Sequence, residues 1–242
     1  MVEIRQVDLI LKKRDTDNLY ASLSVKLHAF LMDMIDPALA TRLHDNALRP
    51  YSLFAYEMEH GVIFRLSTLN EQTAPLIDIC LNTKIFKIDG IQGGFEVAKT
   101  ILYPDIDIND IMTKRPAYRF KIQFVSVTTY KQEKTYRNWF SLYPLLISVS
   151  LKLNAFEGIE FTCEFLESLA DTVEITDYSL ASKSFNVKRG AGIKGFVGEI
   201  TLSCKGNDEQ ASVLSLLLRY ACCAGLGAKT ALGMGGVVVT EM

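Results

Sequence analysis

The amino-acid sequence predicts an α+β protein made of two tandem ferredoxin-like (βαββαβ) domains, over residues 1–116 and 117–242. Two observations carry this expectation. The order strand, helix, strand, strand, helix, strand can be read twice along the 242 residues. The two passes meet at TKRPAYR (113–119), a basic, proline-containing stretch with turn character. A hydrophobic content of 49% is ample for a buried core.

Taken in order, EIRQVDLILKKR mixes alternation with an apolar run, as a partly buried strand does. Asp17 or Asn18 then offers an N-cap for a helix through Leu19, Leu23, Leu27, Phe30 and Leu31. A short helix follows Pro37 and ends near His44, and YSLFAYEM and GVIFRLST form a hairpin with His60 in its turn. Residues 71–82 read as helix, and KIFKIDGIQGGFEVAKTILY as paired strands. The second pass has a strand at 118–128, a helix at 142–154 and strands through 159–203, with a hairpin tip at RGAG. A helix at 208–223, capped by Asn207 or Asp208, leads to a closing strand after Gly233.

Charge is distributed unevenly. The net charge is only −2, yet residues 112–142 hold Lys114, Arg115, Arg119, Lys121, Lys131, Lys134 and Arg137 against Glu133 alone. Residues 181–205 hold Lys183, Lys188, Arg189, Lys194 and Lys205 against Glu199. The remainder is therefore strongly acidic, and such asymmetry steers a polyanion to one face. Each cluster taken singly is equally well explained as solvated loop lysines. No apolar run reaches the length of a membrane span and the opening residues lack signal-peptide order, so a cytoplasmic protein without membrane partners is expected. The five cysteines include no C-x-x-C pair and are expected to be core thiols. Metal-ligand spacing is absent, and no cofactor is expected.

The most distinctive segment is YACCAGLGAKTALGMGGVVV (220–239), with Gly225, Gly227, Gly233, Gly235 and Gly236 around Lys229. A Walker loop needs Gly directly before the Lys-Thr pair and a preceding strand, whereas Ala228 precedes Lys229 here and a helix comes first. A dinucleotide fingerprint needs Gly where Thr230 stands. Backbone amides and an ammonium can together hold phosphate. Glycines that end a helix and relieve crowding beside a strand explain the pattern equally well.

Three segments, LHDNALRPYSLF (43–54), KGFVGEITL (194–202) and RYACCAGLGAKTALGMGG (219–236), resemble the Cas six family of CRISPR repeat-RNA endoribonucleases within the RAMP superfamily. The resemblance implies two ferredoxin-like domains and cleavage of a repeat in a precursor transcript to produce guide RNAs. The reaction it implies is metal-independent, with the ribose 2′-OH attacking the adjacent phosphate to leave a 2′,3′-cyclic phosphate and a 5′-OH. It also admits a non-catalytic RAMP subunit that holds repeat or guide RNA in a CRISPR interference complex. On the resemblance, His44 is the general acid or base and Arg49 the cation for the phosphorane. Some members carry a tyrosine on the first helix, but the matching positions here are Ala29 and Phe30, which leaves His28 as replacement.

Phosphate contacts are expected from Gly225, Gly227, Lys229, Thr230, Gly233 and Gly235. Arg119, Lys131, Lys134 and Arg137 are expected on the repeat backbone and Trp139 against an unpaired base. Lys183, Lys188, Arg189 and Lys194 are expected at the RNA stem. Ser52 could donate to phosphate, although strand packing explains it as well. The expected partner is the repeat RNA, with an interference complex beyond it, and the expected state is monomer or homodimer.

Overall fold

A computed structural model describes residues 3–12, 23–59, 61–88, 93–187 and 192–242. The N-cap expected at Asp17 or Asn18, His60, Lys188, Arg189 and the RGAG tip fall outside or at the border of these residues.

The first half runs β1 (Arg5–Lys12), α1 (Leu23–Met34), α2 (Pro37–Asp45), β2 (Tyr51–Met58), β3 (Gly61–Thr68), α3 (Ala74–Asn82), β4 (Ile85–Phe86) and β5 (Phe95–Leu102). Its sheet has the order β2-β3-β1-β5-β4. Without the two-residue edge β4, this is the antiparallel order of a ferredoxin-like fold. Asp36 starts α2 by accepting a hydrogen bond from the Leu39 amide, and Pro37 supplies a preset first-turn φ. On β1, Val7, Leu9 and Leu11 enter a core with Leu27, Leu31, Phe64 and Phe86, while Gln6 and Asp8 on the other face are buried as well. Burial on both faces accounts for the mixed pattern of the opening residues.

A short helix, α4 (Ile108–Thr113), leads into β6 (Arg119–Thr128), and β7 (Tyr130–Gln132) and β8 (Thr135–Arg137) form a small arm. Then come α5 (Leu142–Glu157), α6 (Cys163–Asp171), β9 (Val173–Asn186), β10 (Gly192–Cys204), α7 (Asp208–Ala224) and β11 (Val237–Glu241). The sheet order β11-β6-β10-β9 repeats the ferredoxin-like arrangement. Residues 163–171, expected as strand, are helical: Thr162 accepts from the Phe165 amide as N-cap, and Leu166 and Leu169 are buried one turn apart. Asn207 and Gln210 form a reciprocal capping box at the start of α7. The cysteines are free, but Cys163 is exposed and not a core thiol.

The halves interlock. Ile4, Leu69, Ile108 and Ile111 belong to the core under the second sheet, and Ala231 to the core of the first. Ser52 of β2 donates to the Cys223 carbonyl, and Gln6 Nε2 reaches the Cys222 carbonyl at 3.4 Å. The buried Ser52 hydroxyl is thus committed to the junction between the halves. Among the described residues, no helix is long and apolar enough to cross a membrane.

Candidate active site and RNA-binding surface

A cavity of about 340 Å³ opens between α1, α2 and the start of β2, lined by His28, Met32, Asp33, Ala40, Thr41, His44, Arg49 and Tyr51. Three segments far apart in sequence converge here. His28 projects from the second turn of α1, and its Nε2 lies 2.9 Å from the Tyr51 hydroxyl, with the rings stacked at 17°. Burial, Arg49 and His44 together lower the His28 pKa from 6.5 to about 4, so its imidazole is neutral at physiological pH. Burial pushes the Tyr51 phenol up to about 12, so it keeps its proton. His44, in the last turn of α2, is 82% exposed at its side chain, with Nδ1 3.4 Å from Asp45 Oδ1. Arg49 is anchored by Nε to the Leu43 carbonyl at 3.1 Å, which leaves the rest of its fork for the cavity.

The structure brings His28, His44 and Arg49 to one cavity and adds Tyr51. The phenol follows Arg49 and Pro50 directly, but only the path of β2 beside α1 reveals that it meets His28. Composition carries no signal for that.

The glycine-rich loop departs from expectation. The Gly225 amide donates to the Ala221 carbonyl at 2.8 Å, Gly227 to Ser148 Oγ at 2.8 Å and Gly235 to the Val127 carbonyl at 2.9 Å. These donors are committed inside the protein and cannot cradle phosphate. Gly233, with φ 110°, packs so closely on Ser24 of α1 that a Cβ would overlap the serine side chain. Gly227, with φ 81°, sits likewise against the Thr129 carbonyl. The loop is a seam that fastens the second half to α1. Thr230 is buried too, its hydroxyl 2.5 Å from the ammonium of Lys152, which also donates to the Ala224 carbonyl. Thr230 is therefore a structural residue.

Lys229 remains outside, exposed and left-handed at φ 62°. The neighbouring Ala228 amide donates to the Thr129 carbonyl at 2.8 Å, which sets Lys229 at the base of the β7–β8 arm. That arm carries Lys131, Lys134, Arg137 and Trp139. Lys131 lies over the Tyr136 ring at 5.1 Å and Arg137 over Trp139 at 5.1 Å, with Trp139 51% exposed. Arg137 Nε has no hydrogen-bond partner among the described residues. Asn138 Nδ2 reaches Ser182 Oγ at 3.5 Å, so the arm approaches the face of β9 that carries Ser182.

Two expected members lie elsewhere. Arg119 starts β6, nine residues from Thr128, which at roughly 3.3 Å per residue puts it about 30 Å from the arm. Lys183 has the opposite parity to Ser182 and lines the cleft between the sheets, whereas Lys194 shares the parity of Phe196, which pairs with Ser182, and so emerges on the face that the arm approaches. Alternation of a strand separates residues that a count of charge groups together.

Two ferredoxin-like units joined through a glycine-rich loop define a tandem ferredoxin-like protein, which carries two imidazoles on one cavity and a separate basic arm. A family model described as CRISPR-associated endoribonuclease Cas6 matches residues 122–237. The chain is 27% identical over 230 residues to the Mycobacterium tuberculosis Cas6, covering 92% of this chain and 73% of that one. It is 24% identical to the Streptococcus thermophilus Cas6, over 96% of this chain and 98% of that one. Among solved structures, a Cas6 product complex superposes with a TM-score of 0.80 at 20% identity, covering 99% of this chain and 100% of the other. Thermus thermophilus Cas6 gives 0.77 at 19% identity, over 99% of both chains. The chain is thus similar in sequence and in fold to CRISPR-associated Cas6 endoribonucleases.

Proposed function

We propose that this protein binds the repeat of a CRISPR precursor transcript and cuts it without a metal ion, leaving a 2′,3′-cyclic phosphate and a 5′-OH. The observation that carries this reading is the convergence of His28, His44 and Arg49 on one cavity. A ribose 2′-O–H gives its proton to neutral His28 as the 2′-O–P bond forms. The P–O5′ bond breaks, and O5′ takes a proton from the His44 imidazolium. Arg49 holds the equatorial oxygens of the phosphorane, where a fixed guanidinium outperforms a mobile ammonium. Once bound, the scissile phosphate places a negative charge beside His28 and strengthens it as a base. The two imidazoles exchange protons with solvent afterwards, and no water is consumed.

The surface formed by Lys229, Lys131, Lys134, Arg137, Trp139 and Lys194 suits the backbone of the repeat and one unstacked base. Lys188 and Arg189 belong to this proposal by sequence alone. The division into domains near residue 116 is part of the same reading. The test is incubation in EDTA with a labelled repeat RNA beside one carrying a 2′-deoxyribose at the cut site. Only the all-ribose RNA should be cut, and its 5′ fragment should end in a cyclic phosphate. An all-ribose RNA that is bound and stays whole would assign the chain to the non-catalytic RAMP subunits.

A further inference from the structure

The cavity that holds the two imidazoles is also lined by Met32 and Asp33 of α1 and by Ala40 and Thr41 of α2, none of which takes part in the proton transfers. Asp33 lies beyond His28 on α1, about 7.5 Å further along the axis at the helical rise. Met32 and Ala40 are half-buried and form an apolar floor, with the Met32 thioether 4.0 Å from the Tyr51 hydroxyl. Asp33 and Thr41 are exposed at its rim. Asp33 makes no hydrogen bond or ion pair with the other described residues. The Thr41 hydroxyl gives its proton to the Pro37 carbonyl at 2.9 Å, so toward a ligand it only accepts. This part of the cavity therefore offers acceptors alone, beside groups suited to phosphate. A carboxylate placed there repels the RNA backbone, and the repulsion is offset only if the substrate brings N–H donors to it.

We propose that Asp33, Thr41, Met32 and Ala40 form a subsite for guanine, the base of the nucleotide whose ribose 2′-OH faces His28; this rests on the reading of the cavity as the cleavage site. Among the four RNA bases only guanine has two neighbouring N–H donors, the ring N1–H and the N2 amine, on its Watson–Crick edge. It alone can make two parallel hydrogen bonds to one carboxylate. The second hydrogen of the amine then serves Thr41. Adenine and cytosine set a ring-nitrogen acceptor beside their amine, which repels a carboxylate oxygen, and uracil has a single donor between two carbonyls. The face of the base rests on Met32 and Ala40, where a thioether suits an aromatic plane. The nucleotide has to be unpaired, because base pairing uses the same edge. The offset of Asp33 from His28 corresponds to the reach from a ribose to the far edge of its own base.

Mononucleotides test this without any cleavage. Guanosine 3′-monophosphate and inosine 3′-monophosphate differ only by the N2 amine. Titrated into the full chain and followed through the ring signals of His28 and His44 by nuclear magnetic resonance, the guanosine nucleotide should bind about tenfold more tightly. Asp33→Asn, a nearly isosteric change at an exposed position, should bring the two affinities within about twofold of each other, because the new amide turns a donor toward the donors of guanine. Equal affinities in the wild type, a guanosine preference that survives Asp33→Asn, or no binding of either nucleotide overturns the proposal. Cleavage is read separately. With repeat RNA in EDTA the 5′ fragment should end in guanosine 2′,3′-cyclic phosphate, and an end at any other nucleoside also overturns the proposal. A repeat RNA that is bound and never cut, together with a guanosine preference that Asp33→Asn removes, would defeat the cleavage reading and support the guanine subsite.

Discussion

A neutral imidazole held by a phenol has its ring orientation fixed, and at His28 this is achieved by the 2.9 Å contact with Tyr51. Tyr51→Phe removes that contact while keeping the stacked ring, so single-turnover cleavage should slow about tenfold with RNA affinity unchanged. Equal loss of affinity would make Tyr51 a binding residue instead. Burial and the neighbouring cations lower the pKa of His28 from 6.5 to about 4, so the folded state binds its proton less tightly than the unfolded chain does. Its contribution to stability is present above pH 6.5 and is lost as pH falls toward 4. Nuclear magnetic resonance should find the His28 ring neutral at pH 5.5, and a protonated ring there would contradict the burial argument. His44 and Arg49 are singled out in the sequence only through the resemblance that the segment LHDNALRPYSLF carries. Tyr51 cannot be found there, because its partner lies 23 residues away across a helix–strand contact.

Among the elements, the glycine-rich loop acts as a fastening. Gly233 packs on Ser24, one helical turn before His28 on α1, so an added Cβ there displaces the helix that carries the imidazole. Gly233→Ala should lower the cleavage rate by about tenfold or more and also lower thermal stability, since φ 110° is strained for alanine. If the glycine amides served phosphate instead, RNA affinity alone would fall. The pattern of glycines is legible in the sequence. Their purpose is not, because Ser148 and Val127, which receive the Gly227 and Gly235 amides, are 79 and 108 positions away. The arm is a separate device. Lys229→Ala and Arg137→Ala should each weaken repeat binding and reduce the slope of log affinity against log salt by about one. Arg119→Ala, at the far end of β6, should leave that slope unchanged.

At the scale of the whole molecule, each half supplies side chains to the core of the other, through Ala231 in one direction and Ile108 and Ile111 in the other. Calorimetry should therefore show one unfolding transition, with calorimetric and van't Hoff enthalpies equal, and two resolved transitions would contradict the interlock. Lys152 sits at this junction, fully buried, and burial lowers its pKa from 10.5 to about 7. The cost of burying its charge is fully present below pH 7 and is relieved as pH rises toward 10.5, so this group makes the protein more stable across that range. Lys152→Met should remove that rise. The repeated βαββαβ order was legible because each strand and helix keeps its own period. The helix at 163–171 was not, because nine residues are too few to separate a helix from a strand by periodicity.

The central claim is that two imidazoles on one cavity move the protons of RNA cleavage, and single-turnover kinetics at saturating protein with repeat RNA in EDTA tests it most directly. His44→Ala and His28→Ala should each cut at least about a hundredfold more slowly than the wild type while binding the RNA with similar affinity. Wild-type rates in either variant, at equal RNA occupancy, would contradict the claim.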